Sequence, residues 1–97
     1  MQKDVLTYAV QLRAGRTLLG WSQAELARRA GVARPTVARI ESLQMLPRLD
    51  TAGKLKQALR DGGVIFHDDD KSGGFTIGVS GDFLDRLGQE LQAQRQD

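Results

Sequence analysis

Apolar residues recur every three or four positions between residues 5 and 19, and this spacing predicts an amphipathic first helix. The helix should end before Gly20. Its predicted inner face comprises Val5, Leu6, Ala9, Leu12, Arg16 and Leu19. Arg16 is the one charged residue on that face, so we expect it to be partly buried. Trp21 then directly precedes the next helix cap, and its ring should pack onto Leu26 or its neighbours.

A short second helix is predicted over residues 22–30. Ser22 is a favourable N-cap, and Glu25 three residues later completes a capping box. Gly31 should end the helix, because a left-handed backbone conformation costs glycine nothing. The apolar positions of this helix are Ala24, Leu26, Ala27 and Ala30.

A third helix should begin near Ala33 and close at Glu41. Pro35 lies in its first turn, where a missing N–H is harmless and φ is already set. Val37 and Ile40 are three residues apart and therefore share one buried face. The opposite face presents Arg34, Thr36 and Arg39, and the sequence offers these residues no evident partner within the chain.

A fourth helix and a β-hairpin follow. The helix should run from a cap at Asp50 or Thr51 to Asp61, with Leu49, Ala52, Leu55, Ala58 and Leu59 on its packed face. Residues 64–67 and 75–79 are β-branched and aromatic, and Phe75, Ile77 and Val79 alternate strictly. Turn-forming residues 68–74 separate them. A lone two-stranded hairpin is marginal in water, so its apolar face should pack on the helices or on a second copy.

The last segment, from Ser80 or Asp82, places apolar side chains on one stripe of a terminal helix. The stripe consists of Phe83, Leu84, Leu87 and Leu91, with Asp85, Arg86, Gln89 and Glu90 opposite. Two interpretations remain open, since the stripe can cover the hairpin or form half of a dimer contact. We favour the dimer contact.

The residues of the second and third helices resemble the lambda-repressor-like, Cro/C1-type (Xre) family. The matching positions are Ser22-Gln23, Glu25-Leu26-Ala27, Ala30-Gly31-Val32, Thr36-Val37 and Ile40-Glu41. The resemblance covers roughly residues 7 to 60. It implies a mainly α-helical, lambda-repressor-like helix-turn-helix bundle, followed here by a C-terminal β-hairpin and a terminal helix. It also implies that the third helix enters the major groove of DNA.

Roles for individual residues also follow from the resemblance. The positions that read bases in the family correspond to Arg34, Pro35, Thr36 and Arg39. Gln23 matches a glutamine that holds a phosphate, and Ser22, Arg28 and Gln44 are further predicted phosphate contacts. Arg16 and Glu41 match an arginine and a glutamate that pair, which would tie the first helix to the third. A phosphate contact is the alternative for Arg16, and plain surface is the alternative for Arg28 and Arg29.

Two positions depart from the family pattern. Pro35 stands where a polar side chain is common, so it makes no hydrogen bond to a base. Leu43 stands where the family usually has a glycine, which leaves the exit from the third helix undetermined. Pro47 matches the usual proline and disfavours a helical conformation at Leu46.

Composition limits the classes of protein that fit. The 97 residues suffice for one small core, and the absence of cysteine excludes disulfides and thiolate metal sites. Residues 1–60 hold eleven basic and four acidic side chains, whereas residues 61–97 hold three basic and eight acidic ones. A basic first part suits DNA, although two ordinary solvated faces are the alternative. With no apolar run of about 20 residues and no signal-peptide pattern, we expect a cytoplasmic protein without membrane contact.

The sequence gives little support to a metal site, a phosphate-binding loop or a catalytic site. His67 and the three aspartates after it are adjacent in a turn and cannot all converge on one metal ion. The glycines of residues 72–83 lack the Gly-Lys-Ser/Thr ending of a phosphate loop. No nucleophile and base stand at a meaningful spacing. We therefore expect neither an enzyme nor a cofactor nor a metal.

The sequence thus predicts a helix-turn-helix DNA-binding domain over residues 1–62 and a dimerisation region over residues 63–97. The residues predicted to form the dimer are Phe75, Ile77, Val79, Phe83, Leu84, Leu87 and Leu91. The predicted function is that of a homodimeric transcriptional repressor of a palindromic operator. Two alternatives stay open: an antitoxin that also holds a toxin protein, and a protein-interaction module that does not bind DNA.

Overall fold

The computed structural model describes residues 3–95 and confirms the predicted order of elements. Within these residues the helices are α1 (Lys3–Leu18), α2 (Gln23–Ala30), α3 (Arg34–Glu41), α4 (Leu49–Gly62) and α5 (Gly81–Arg95). The strands β1 (Val64–Asp69) and β2 (Gly74–Val79) form an antiparallel hairpin between α4 and α5. None of the described helices is both long enough and apolar enough to cross a bilayer.

Helices α1 to α4 enclose one hydrophobic core. Its largest fully buried side chains are Leu12, Leu26, Val37, Ile40, Leu55 and Leu59. Each of the four helices therefore contributes at least one of them, and each such side chain stabilises the fold by roughly 1.5–3 kcal/mol relative to exposure. Trp21 packs at the edge of this core, where Gly62 leaves room for its ring.

Two leucines assigned to packed helix faces lie on the surface instead. Leu6 of α1 is 45% exposed and Leu49 is 91% exposed. Helix α4 starts at Leu49 after an Arg48 N-cap, so the predicted cap at Asp50 or Thr51 is wrong by two to three residues. The earlier start places Leu49 in the first turn, outside the contact that buries Leu55 and Leu59.

The hairpin packs on the helical bundle of its own chain. In the register of the two strands, Val64 lies opposite Val79 and Phe66 lies opposite Ile77. Val64 belongs to the buried core, and Phe66 and Ile77 pack against it. The Lys56 ammonium lies 4.4 Å from the centre of the Phe66 ring, which ties α4 to β1. The apolar face of the hairpin was expected to pack either on the helices or on a second copy of the chain. In the structure it packs on the helices of its own chain.

Helix α5 rests on the bundle through few contacts. Ser80 Oγ accepts a hydrogen bond from the Phe83 N–H at 3.2 Å and so caps the helix. Phe83 packs against the core, and Arg86 Nη2 donates to the carbonyl oxygen of Gly62 at 3.2 Å. No residue from Gly81 to Arg95 is buried, and the leucines of the apolar stripe, Leu84, Leu87 and Leu91, are 54%, 36% and 50% exposed.

Candidate nucleic-acid interface

A three-residue turn sets α3 against α2. Gly31 adopts φ 72°, the left-handed conformation that favours glycine. The Val32 N–H then donates to the Ala27 carbonyl at 3.0 Å, which closes the end of α2. Ala33 is extended and serves as the N-cap of α3, with Pro35 in the first turn as predicted. These local signals fix the direction in which α3 leaves the turn.

The two faces of α3 differ sharply. Val37 and Ile40 point into the core and are 0% and 2% exposed. Arg34, Pro35 and Arg39 are exposed on the other side, and Thr36 is half-buried beside them. Among residues 3–95, neither Arg34 nor Arg39 has an ion-pair partner or a side-chain hydrogen bond. Two unpaired guanidinium groups thus project from the helix that the core holds in place.

Glu41, the last residue of α3, is fixed by hydrogen bonds from α1 and α2. Arg16 Nε and Nη2 each donate to its carboxylate at 2.9 Å, and Arg16 Nη1 donates to the Trp21 carbonyl at 3.0 Å. Gln23 Nε2 also donates to Glu41, at 3.2 Å. The side chains of Arg16 and Glu41 are only 17% and 5% exposed. The predicted pair is therefore in place, and Arg16 is turned toward the protein.

The network also orients Gln23. Its amide nitrogen carries two hydrogens, and the bond to Glu41 uses one of them. The other remains available at the start of α2, where the helix dipole favours an anion. A single carboxylate therefore links the orientation of α3 to that of the predicted phosphate contact.

The other predicted phosphate contacts differ in availability. Ser22 Oγ accepts the Glu25 N–H at 3.0 Å as the N-cap, and its hydroxyl hydrogen stays free to donate. Arg28 is held by two hydrogen bonds to Glu25, of 3.0 and 2.8 Å, and Arg29 Nε donates to the same carboxylate at 2.8 Å. Glu25 thus pairs with these arginines, and its carboxylate does not accept a hydrogen bond from the backbone N–H of Ser22. The capping box is therefore only half formed. Since Arg28 and Arg29 share one carboxylate, the three side chains together keep a net charge of +1.

The pairing changes the titration of Glu25. Hydrogen bonds from Arg28 and Arg29 lower its pKa from 4.5 to about 2. Because the carboxyl pKa is lower in the folded than in the unfolded state, ionised Glu25 stabilises the fold at pH values above 4.5. This contribution is lost as the pH falls from 4.5 to about 2. We therefore expect Glu25→Gln to lower the Tm slightly at pH 6 and by much less near pH 2. Thermal unfolding at both pH values measures this, and an equal Tm difference at both would contradict the pairing.

Helix α3 ends in a Schellman motif, with Leu43 where the family pattern has glycine. Leu43 adopts φ 65°, and within residues 3–95 it is the one residue other than glycine with positive φ. Its N–H donates to the Ile40 carbonyl at 3.1 Å, and the Gln44 N–H donates to the Arg39 carbonyl at 2.8 Å. The exposed Gln44 side chain, a predicted phosphate contact, follows directly. The exit from α3 therefore keeps the usual geometry without the usual residue.

This left-handed leucine predicts an unusual order of stabilities. The conformation costs a residue with a Cβ about 1–2 kcal/mol, and a β-branched side chain tolerates it least. We expect Leu43→Gly to be at least as stable as the wild type and Leu43→Val to be less stable by about 1 kcal/mol or more. Urea unfolding of the three proteins measures the order. A more stable Leu43→Val would show that φ 65° is not kept in solution.

Arg13 is a basic residue beside this region that the helical pattern did not single out. It lines a cleft between α1, α2 and α3 together with Arg16, Gln23, Ala38, Glu41 and Ser42. Its side chain is exposed and, in the described part of the chain, forms no ion pair. Its position three residues before Arg16, one turn earlier on the same helix, is the sequence signal that places it there.

Comparison with known proteins agrees with this geometry. A family model for helix-turn-helix domains of the Cro/C1 type matches residues 12–60, which is half of the chain. The match spans most of α1, all of α2 and α3, and nearly all of α4. A search of curated proteins found no match.

Proposed function

Because the chain belongs to the Cro/C1-type (Xre) helix-turn-helix family of DNA-binding transcriptional regulators, we propose that it is a homodimeric repressor of a palindromic operator. The observation that carries the proposal is the exposed face of α3. It presents two arginines, without ion-pair partners in the described part of the chain, on a helix whose other face is locked into the core. A rigid helix with free donors is what direct reading of base edges requires.

Each residue of this face has a distinct role in the proposal. Arg34 and Arg39 each donate two hydrogen bonds to O6 and N7 of a guanine, the commonest specific contact in the major groove. Thr36 donates to or accepts from a base edge. The ring of Pro35 has no donor and contacts a thymine methyl group instead.

Phosphate contacts set the position of α3 on the duplex. Gln23, oriented by Glu41, and Ser22 bind one phosphate at the start of α2, and Gln44 binds another after α3. Arg28 joins them when a phosphate displaces Glu25 from its guanidinium group. The excess of basic residues in 1–60 adds affinity through counterion release, while the acidic residues 61–97 face away from the DNA.

Dimerisation through residues 63–97 doubles these contacts. One domain reads only a few base pairs, and a two-fold dimer reads an inverted repeat with half-sites about one helical turn, or 34 Å, apart. Linking the two domains makes the second binding event intramolecular and so raises the affinity. The protein acts on chromosomal DNA, and we therefore place it in the cytoplasm.

Repression follows from occupancy, since a bound dimer on a promoter excludes RNA polymerase. The test is transcription in vitro from a promoter in which a DNA sequence that the protein binds lies between the two elements that RNA polymerase contacts. Added protein should reduce the transcript, and the same duplex placed well upstream of the promoter should leave the transcript unchanged. An increase in transcript would contradict repression and favour activation.

An antitoxin role is the second candidate, and the exposed stripe on α5 favours it. Leu84 and Leu91 are 54% and 50% exposed and offer an apolar surface to a toxin protein. The native mass of the protein purified from its own host discriminates between the two candidates. A dimer of this chain alone supports the free repressor, whereas a stoichiometric complex with a second small protein supports the antitoxin.

A further inference from the structure

Helix α5 projects from the bundle as an arm. The radius of gyration of the Cα atoms is 14.5 Å, and the longest axis of the molecule is 50 Å. A compact chain of this length has a radius of gyration of about 12.5 Å. Phe83 and Arg86 hold the first two turns of α5 to the bundle, and the helix then continues to Arg95 with no residue buried. Among the residues that the structure describes, most of the arm therefore packs against no other element.

The arm carries the apolar stripe. Leu84, Leu87 and Leu91 follow one another at intervals of three and four residues, and they are 54%, 36% and 50% exposed. Such a stripe is typical of a helix that packs against another surface. Burial of these leucines is the driving force available for an interface.

A second apolar surface, also uncovered, lies on α1. Val10, Ala14 and Leu18 of α1 and Ile77 of β2 form a groove, with Arg13 and Thr17 at its rim. Val10 and Leu18 are 44% and 43% exposed. Val10 to Leu18 spans about 12 Å along the helix and Leu84 to Leu91 about 10 Å, so the groove and the stripe match in length.

The charges of the two surfaces are complementary. The arm carries three acidic residues, Asp82, Asp85 and Glu90, against two basic ones, Arg86 and Arg95, and none of the three acids forms an ion pair within residues 4–95. The groove has Arg13 at its rim, also without an ion-pair partner there. Three acids against two bases leave the arm a net charge of −1, and a groove with a cationic rim attracts such a helix.

We propose that the dimer forms by reciprocal exchange of arms: α5 of each copy lies in the α1 groove of the other. The proposal rests on the proposed homodimer and specifies how it is built. One kind of contact, repeated by the two-fold axis, covers the stripe and the groove together. An arm-to-arm pairing would cover the stripe and leave Val10 and Leu18 in water.

Site-specific cross-linking tests the arrangement, because the chain contains no cysteine. A Leu91→Cys chain is mixed with an Ala14→Cys chain of different mass, and a short bismaleimide is added without DNA. We expect a cross-linked product containing one chain of each kind. Replacing the Ala14→Cys chain by a Lys54→Cys chain, whose cysteine lies on the exposed side of α4, should reduce this product at least tenfold.

The same experiment identifies the competing interfaces. Cross-linking of Leu91→Cys chains to each other, in place of the mixed product, would establish arm-to-arm pairing and overturn the exchange. Self-linking of a Leu49→Cys chain would place the interface beside the end of α3, where Leu46 and Leu49 are 66% and 91% exposed, and would also overturn it. Since no DNA is present, these results do not depend on whether the proposed operator binding is correct.

A complementation measurement gives an independent answer. Leu84→Glu damages the arm and Leu18→Glu damages the groove, and each protein alone should sediment as a folded monomer. Mixed, they should form a heterodimer, because the intact arm of the Leu18→Glu chain fits the intact groove of the Leu84→Glu chain. Leu18→Glu protein that stays dimeric would overturn the proposal, as would a monomeric wild type. Far-UV circular dichroism checks that both variants fold.

Discussion

Replacement of Arg39 by alanine should weaken binding to the preferred duplex by about 10- to 100-fold for each half-site that it reads. The figure corresponds to the roughly 1–3 kcal/mol that a bidentate arginine–guanine contact contributes to discrimination. A dimer presents the arginine twice, so the loss on a full inverted repeat should exceed the loss on a single half-site. Arg34→Ala should behave in the same way, and fluorescence anisotropy with both duplexes measures the effect.

Stability and non-specific binding provide the controls for Arg39→Ala. Arg39 is exposed and unpaired in the described residues, so the Tm should stay within a degree or two of the wild type. Arg60→Ala removes the same charge from the exposed side of α4 and should reduce binding to all duplexes slightly and equally. Equal losses for Arg39→Ala and Arg60→Ala would show that Arg39 attracts phosphates and reads no base.

Removal of Arg16 should destabilise the fold more than any exposed substitution. Arg16→Ala removes the guanidinium group and its two hydrogen bonds from Glu41, which is 5% exposed and keeps only the bond from the uncharged Gln23 among those described above. Breaking one partner of a buried ion pair costs about 3–5 kcal/mol. For a domain of this size the loss should lower the Tm by at least about 10 °C. Differential scanning calorimetry measures the change.

A double substitution separates the value of the pair from the cost of an orphaned charge. Arg16→Met with Glu41→Leu removes both charges and keeps similar volumes, and it should recover much of the stability that Arg16→Ala loses. The double variant should nevertheless bind DNA less well, because Gln23 loses the carboxylate that orients it. An Arg16→Ala protein with the Tm of the wild type would contradict the account of this network.

The helix-turn-helix could be predicted from sequence because its signals are local. The Ser22 cap, Gly31, Pro35 and the spacing of Val37 and Ile40 each restrict the backbone within a few residues. The structure places all of them as the pattern predicts. The mainly α-helical fold with a hairpin was predictable for the same reason.

Other features depend on contacts distant in sequence and were not predictable. Leu6 and Leu49 fit a helical period, yet only the packed bundle determines which face of each helix is covered. Leu43 gives no sequence signal for positive φ, since the geometry is imposed by the hydrogen bonds that end α3. Likewise the leucines of α5 indicate an interface but not the surface they meet.

The candidate site also contains features that the sequence could predict and features that required the folded chain. Glu25 stands three and four residues before Arg28 and Arg29, a spacing at which helical ion pairs form, so the pairing of Arg28 was open to sequence reasoning. The alternative of plain surface fits Arg28 better than it fits Arg34 or Arg39. The bond from Gln23 to Glu41 joins positions 18 residues apart and required the folded chain.

The central claim is that two copies of α3 read an inverted repeat, and selection of bound duplexes from a random-sequence pool tests it most directly. The selection should be run at two salt concentrations, because affinity for DNA depends steeply on salt. We expect enrichment at both concentrations of an inverted repeat rich in G·C pairs, with half-sites about one helical turn apart. A pool that stays random, with binding that disappears at the higher salt, would contradict sequence-specific recognition.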